Sequence, residues 1–248
     1  MKSPLIPIKI LSIYKSKLGD LLPLGSRAAQ CTPDTYTAIE NISKGLEAAG
    51  GKLILSDMFR TYDMQLQSHN DYISGKKKPF SPAPGGSFHE AGRAFDLDLS
   101  AIKIPLADFW VIADKFGMLP IIKAPKANAL EAWHFDCRGS HQIVYQYYTD
   151  KMGNNFLPYA AAAASAILSV GIQVDAFGHN QIQAATQSCL IRLGKVIGNI
   201  DGQLGARSQK ALEELNITFD TTNPASMLQQ AENLIQQKFP AEFVTPAL

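Results

Sequence analysis

The sequence predicts an α+β fold, with a small antiparallel-sheet domain over residues 1–150 and a three-helix module after it. Short apolar strands and amphipathic helices mix in the first 150 residues. Strand–helix–strand repeats are few, which favours an α+β domain over a doubly wound sheet. Residues 153–158, which are rich in glycine, asparagine and proline, form a plausible linker. Beyond the linker the apolar residues have helical spacing.

The first long helix is predicted over residues 33–49. Thr32 is a candidate N-cap, proline occupies the first helical position, and two glycines stop the helix. The apolar run 52–56 that follows is typical of a strand. A loop rich in glycine and proline covers residues 75–86, and we expect part of it to rim a functional site. Its lysine run, 76–78, is most simply a solvent-exposed charge run.

The next strand is predicted over residues 93–99, where apolar residues alternate with Asp96 and Asp98. One face of this strand therefore belongs to a core, and the other carries two carboxylates. A buried carboxylate without a partner is costly, so something must pair with them. A metal ion would remove that cost for Asp96. Asp98 then either orients a ligand or reaches solvent.

Three residues in this part of the chain are suited to binding zinc. His89 and Asp96 lie on either side of a glycine-containing bend, and His134 follows a helix predicted over residues 106–116. Catalytic zinc takes three protein ligands and keeps one position open. Glu131 is then left free as a general base. Cys137 as a fourth protein ligand would close the site.

Each of these residues also has an ordinary interpretation. The histidines would be core or surface residues, Asp96 a cap at a strand end, and Glu131 a residue at a helix start. The combination of all four argues against coincidence. Two imidazoles and a carboxylate favour zinc over other divalent ions.

The chain contains the motifs Ser87-x-His89-x-x-Gly92-x-Ala94-x-Asp96 and Glu131-x-Trp133-His134. In order and separation they resemble the paired motifs of the zinc D-alanyl-D-alanine carboxypeptidases and dipeptidases. These enzymes include the vancomycin-resistance enzymes and are related in fold to lysostaphin and the hedgehog signalling domain. The resemblance implies zinc on His89, Asp96 and His134, with Glu131 as the base, and it implies peptidoglycan as the substrate.

The segment 56–65 resembles, more loosely, the part of those enzymes that carries an arginine facing the substrate. Arg60 would be that arginine, with a salt bridge to a surface acid as its alternative, and Gln65 in the same segment is a candidate substrate-binding residue. The resemblance also implies that Ser87 hydrogen-bonds the substrate or a ligand. Trp133 forms either a wall of the pocket or part of the core.

Residues 151–220 resemble the three-helix peptidoglycan-binding domain. The signature is a helix ending in Leu193-Gly194 and then the segment Gly198-Asn199-Ile200-Asp201-Gly202-Gln203-Leu204-Gly205. No binding residue is assigned in this module, because its motif positions are turn and core residues. Residues 221–248 form a C-terminal helix and tail, with Asn223 as candidate N-cap. A wall-binding module would keep the enzyme close to an insoluble substrate.

Composition limits the other classes of function. A net charge of +1 gives no field suited to nucleic acid. No apolar run approaches the roughly 20 residues that cross a bilayer, so no membrane span is expected. Three cysteines are too few and too far apart for a disulfide framework. We see no signal peptide, and we expect a monomer.

The predicted function is zinc-dependent hydrolysis of peptidoglycan stem peptides at the bacterial cell wall, periplasmic or extracellular. The first candidate is a D-alanyl-D-alanine carboxypeptidase, which ought to be exported. An L-alanyl-D-glutamate endopeptidase of the phage-lysin (endolysin) type is the alternative, and a wall-binding module without a signal suits release of such a lysin from the cytoplasm. A signal removed from this sequence is also compatible with these residues. A non-catalytic zinc-containing wall-binding module is a third possibility, which the presence of Glu131 disfavours.

Overall fold

The computed structural model describes residues 1–246, and within them it confirms the α+β class. The strands are β1 (Ile6–Pro7), β2 (Leu11–Lys15), β3 (Leu21–Pro23), β4 (Gln30–Cys31), β5 (Leu55–Asp57), β6 (Ala94–Leu97), β7 (Met118–Pro120) and β8 (His134–Cys137). The helices are α1 (Pro33–Ala48), α2 (Tyr62–Ile73), α3 (Leu106–Lys115), α4 (His141–Thr149), α5 (Pro158–Ser169), α6 (Gln181–Arg192), α7 (Ala206–Glu213) and α8 (Pro224–Lys238). Within these residues, no helix is long and apolar enough to cross a membrane.

Six strands form one sheet in the order β3-β2-β5-β6-β8-β7. All neighbouring pairs are antiparallel except β2 and β5, which are parallel with Ser12 opposite Leu55. The sheet is therefore mixed, and the prediction of a purely antiparallel sheet is wrong at this pair. The reason is the long connection from β2 to β5, which contains α1; a crossover of this length lets the two strands run in the same direction.

The central strands β6 and β8 place the candidate ligands. Both strands are buried along their whole length, and Asp96 lies directly opposite His134. One residue away, Phe95 lies opposite Phe135, and the two rings stack 5.8 Å apart. Because side chains alternate between faces of a strand, the aromatic pair belongs to the core formed with α1 and α3. The two polar side chains face the other way.

Several predicted elements are present with small shifts. The helices predicted over 33–49 and 106–116 are α1 and α3, and each ends one residue earlier. The strand predicted over 52–56 is β5, which begins three residues later and ends at Asp57. The strand predicted over 93–99 is shorter, because Asp98 leaves the sheet and accepts hydrogen bonds from the backbone and hydroxyl of Ser100.

The helical part packs directly on the sheet domain. Its core includes α5, α6 and α8, and it continues without a break to Phe88 and Ala94 of the first part. Three helices lie within residues 151–220, and α8 begins after Asn223, whose side chain accepts from the amide of Ser226 at 3.2 Å. The division into a peptidase domain and a peptidoglycan-binding module stays a prediction. The shared core shows that the two parts are not joined by the linker alone.

A buried ionic network also ties the two parts together. Arg93 is fully buried and pairs with Asp34, and it approaches Glu242 to 3.7 Å. Glu242 lies in a short 3-10 turn after α8 and pairs with the buried Arg192 at 2.6 Å. Its other oxygen accepts from the amide of Ser140 at 2.8 Å. Two guanidinium groups and two carboxylates thus neutralise one another inside the protein.

Candidate metal centre

Three side-chain atoms converge at one end of the central strands. His89 Nε2 lies 3.2 Å from His134 Nδ1 and 3.3 Å from Asp96 Oδ1, and His134 Nδ1 lies 2.9 Å from the same oxygen. All three residues are buried, with at most 8% of each exposed. Within residues 1–246 they form the one group of histidine, cysteine, aspartate and glutamate side chains with spacing suited to a metal ion.

In each imidazole the outer nitrogen, which is the one outside the three-atom cluster, already has a hydrogen-bond partner. His89 Nδ1 faces the carbonyl oxygen of Met58, and His134 Nε2 lies 2.8 Å from Asp136 Oδ1. A carbonyl or a carboxylate accepts hydrogen bonds, so the outer nitrogens carry the protons. The inner nitrogens then present lone pairs to each other and to Asp96. Such outer partners are typical of histidines that bind metals.

A cation has to lie among these three inner atoms, either a proton on His134 or a metal ion. Burial lowers the pKa of His134, but Asp136 and Asp96 outweigh it and raise the value to about 10. Burial raises the pKa of Asp96, but His89 and His134 hold it well below its ordinary value. Ligands about 2.0–2.1 Å from a tetrahedral zinc ion lie about 3.3 Å apart. The observed separations fit that arrangement, so the donor set suits zinc.

The local sequence explains how His89 enters the site. A 3-10 turn covers Phe88–Ala91, and Ser87 caps it by accepting from the amide of His89 while Glu90 reaches back to the amide of Ser87. Gly92 ends the turn with φ of 62°, a left-handed conformation that favours glycine. A Cβ at Gly92 would also lie 3.0 Å from the Cα of Cys31. The turn therefore delivers His89 inward just before β6 begins.

Glu131 lies in the turn that precedes β8. Its φ is 66°, and its carbonyl oxygen accepts from the amide of His134 at 3.1 Å, so the backbone bends between Glu131 and His134. Its side chain lines the same cleft as the three candidate ligands. Burial raises the pKa of Glu131, and the nearby His134 opposes this shift. A carboxyl group with a raised pKa is better suited to exchange protons near neutral pH.

Arg60 lies in the cleft wall, but most of its hydrogen-bonding capacity is used by the protein. Its guanidinium donates to Asp57 at 2.6 Å, to Gln65 Oε1 at 3.2 Å and to Asp96 Oδ2 at 3.3 Å. Three of the five N–H groups are thereby occupied, which leaves two for a substrate. Asp57 and Asp96 are both close enough to form salt bridges with Arg60.

Gln65 is fully buried and does not reach the cleft. Its amide nitrogen donates to Ser81 Oγ at 3.1 Å and to the carbonyl of Pro82 at 2.7 Å, and its oxygen is held by Arg60. This placement favours support of Arg60 and of the 75–86 loop over the substrate contact that the sequence suggested. The loop itself does rim the cleft, through Phe80 among other residues.

The other sequence candidates separate into two groups. Ser87 and Trp133 both line the cleft, and Ser87 is also the cap described above. Asp98 is outside it, bound to Ser100. Cys137 lies on the opposite face of β8 from His134, with its sulfur 3.8 Å from a carboxylate oxygen of Asp34, and it is therefore not a ligand. The three cysteines are free thiols.

The cleft has a volume of about 710 Å³, and several of its residues were not identified from the sequence. Lys77 is turned into it and donates to Ser68, so one lysine of the predicted solvent-exposed run is half-buried. Asp136 shares a strand face with His134, a spacing of two that could have identified it. Arg138 and Tyr159 form the far wall; nothing local in the sequence marks them.

No protein-family model matches the chain, and neither does any curated protein. The LdcB LD-carboxypeptidase, whose structure is described as revealing the molecular basis of peptidoglycan recognition, has a TM-score of 0.41 and 18% identity, covering 54% of this chain and 67% of that one. DacB from Streptococcus pneumoniae D39 has a TM-score of 0.35 and 21% identity, covering 50% and 78%. Another structure, described as an L,D-carboxypeptidase DacB from Streptococcus pneumonia, has a TM-score of 0.33 and 19% identity, covering 54% and 85%. These TM-scores are too low to carry an argument about function.

Proposed function

We propose that this protein is a zinc peptidase that hydrolyses stem peptides of peptidoglycan, most simply as a D-alanyl-D-alanine carboxypeptidase. The observation that carries the proposal is the convergence of His89, Asp96 and His134 on one buried point, with Glu131 free in the same cleft. The motif resemblance supports the choice of substrate.

When bound, zinc would supply a Lewis acid that polarises the scissile carbonyl and acidifies water. His89 and His134 are held in position by Met58 and Asp136, so their inner nitrogens are oriented before the ion arrives. Arg60 holds the second oxygen of Asp96.

Glu131 acts as the general base and then as the general acid. It takes a proton from the attacking water and gives it to the leaving amine, so its carboxylate is restored after each turnover. The two N–H groups of Arg60 that the protein leaves free steady the oxygen on which negative charge develops. Ser87 and Trp133 border the substrate.

The test is digestion of purified peptidoglycan and of a free pentapeptide stem, with products identified by mass spectrometry. Zinc-loaded wild type is compared with Glu131→Ala and with Glu47→Ala, a control on the exposed surface of α1. Released D-alanine that disappears only with Glu131→Ala establishes the carboxypeptidase. Stems cut after L-alanine establish the endopeptidase instead. No cleavage by zinc-loaded wild type leaves the non-catalytic module.

A further inference from the structure

Part of the cleft wall comes from the segment after β8 and from the start of α5. Arg138 follows β8, Tyr145 lies on α4, and Leu157, Tyr159 and Ala160 come from the start of α5. This wall contains an arginine with unused N–H groups and a helix start without a side-chain cap.

Arg138 is 9% exposed, and its Nε is buried without a hydrogen-bond partner. Within residues 1–246 its guanidinium makes one hydrogen bond, from Nη1 to Gln142 at 3.2 Å, and it lies 4.4 Å from the centre of the Tyr145 ring. Asp136 Oδ2 lies 3.9 Å from Nε, a long salt bridge without a hydrogen bond, and this oxygen has no hydrogen-bond partner of its own. His134 and Tyr159 hold the other oxygen of Asp136.

The N-terminus of α5 points to the same kind of ligand. Leu157 is its N-cap residue and offers no side-chain acceptor, and Pro158 at the first position has no N–H to satisfy. The first-turn amides of Tyr159 and Ala160 therefore have no capping side chain among the described residues. Uncapped amides at the positive end of a helix dipole bind anions.

We propose that Arg138 and the first turn of α5 form a subsite for a carboxylate of the peptide substrate. A planar guanidinium suits a carboxylate because it can donate two parallel hydrogen bonds. The inference rests on the proposed function, since it assigns a place for one end of a peptide in the same cleft. The carboxylate is either the C-terminal one or one carried within the stem, such as that of D-glutamate.

The test measures binding without cleavage. Zinc-loaded Glu131→Ala protein is titrated by calorimetry with N-acetyl-L-lysyl-D-alanyl-D-alanine and with its C-terminal amide. We expect the free acid to bind more tightly than the amide. Arg138→Gln should weaken the affinity for the free acid about 10- to 100-fold without changing the affinity for the amide. Arg207→Gln, on the exposed surface of α7, is the matched control and should change neither.

A second variant keeps the test valid if Arg138→Gln folds poorly. Ala160→Asp places a carboxylate in the first turn of α5, where it favours the helix and repels a bound carboxylate. It should abolish the preference for the free acid, whereas Ala160→Asn should retain it. A stem peptide with D-glutamate in place of D-isoglutamine distinguishes the internal carboxylate from the terminal one.

Three results overturn the subsite. The first is that the parent protein binds the free acid and the amide equally, and also binds the D-glutamate and D-isoglutamine peptides equally. The second is that Arg138→Gln weakens the binding of all peptides to the same extent. The third is that no peptide binds. Failure of the proposed function looks different. Selective binding that depends on Arg138, together with no cleavage by zinc-loaded wild type, would leave a peptide-binding site without the chemistry.

Discussion

Two clusters of buried charge lie close together in this chain and are neutralised in different ways. Around Arg93, two guanidinium groups pair with the carboxylates of Asp34 and Glu242, so the protein supplies both signs of charge. Around His134, three inner atoms all offer lone pairs to one another. A cluster that contains both signs of charge holds the fold, and a cluster of three lone-pair donors is suited to bind a cation.

Removal of one member of the Arg93 cluster should have the largest effect on stability. Arg93→Met leaves the partly buried Asp34 without its cation and the buried Glu242 with Arg192 as its one remaining cation, and should lower the free energy of unfolding by about 3–5 kcal/mol. Urea unfolding measures this loss. Lys195→Met, which breaks an exposed pair with Glu214, serves as control. Equal midpoints for the two variants would show that the Arg93 network does not stabilise the fold.

The stability contributed by the His134 cluster should instead depend on a metal ion. Zinc at 100 times its dissociation constant should stabilise the wild type by about 2.7 kcal/mol. His89→Gln should lose this gain, while its metal-free stability falls only by the roughly 1 kcal/mol of the hydrogen bond between His89 and the Met58 carbonyl. Thermal unfolding with and without zinc measures both quantities. A zinc response that survives in His89→Gln would place the metal elsewhere.

Asp136 links the His134 cluster to the helical part, because it is hydrogen-bonded to His134 and also accepts from the Tyr159 hydroxyl at 3.3 Å. Asp136→Asn should weaken zinc affinity about 10- to 100-fold, as is usual for outer partners of metal-binding histidines. Tyr159→Phe should weaken it less, because Tyr159 acts one bond further away. Competition with a chelator of known affinity gives both values. A larger loss for Tyr159→Phe would contradict this order.

The smallest expected effect is on the pH dependence of stability. His141 is fully buried beside Ser165, and burial, with Arg192 and Arg93 nearby, holds its pKa well below the ordinary 6.5. Below pH 6.5 the unfolded chain therefore binds a proton that the native protein does not, and stability should fall by up to about 1.4 kcal/mol per pH unit. Above pH 6.5 this contribution is constant.

One variant checks this pH dependence. His141→Gln should reduce the slope between about pH 6.5 and pH 5, measured by urea unfolding at several pH values. An unchanged slope would assign it to other groups. At lower pH a further loss should follow from Glu242. Burial raises its pKa, but Arg93 and Arg192 lower it below the ordinary value of 4.5, so protonation there removes stability.

The convergence of the candidate metal-site residues is easier to predict from the sequence than the surroundings of that site. His89, Asp96, Glu131 and His134 lie in two short motifs, and local turns and a strand explain how each reaches the cleft. Arg93 lies inside the first motif, yet nothing near it indicates that its partner is Glu242, some 150 residues later in the chain.

The parts that sequence reasoning missed depend on packing between distant segments. Arg138 and Tyr159 line the cleft because α4 and α5 fold back against the sheet, which helical periodicity alone does not indicate. The parallel pairing of β2 with β5 also depends on contact between segments that are distant in the chain. Lys77 was assigned to solvent because three adjacent lysines usually are, and only the path of the loop turns one of them inward.

The pairing of Asp96 with His134 across β6 and β8 has a consequence for folding. A slip of β8 by one residue against β6 would turn every side chain of β8 to the other face, and would place His134 in the core in exchange for Phe135. The correct alignment is thus the one that brings His134 beside Asp96. A metal ion held by both side chains would bind only chains in which β6 and β8 have paired in register.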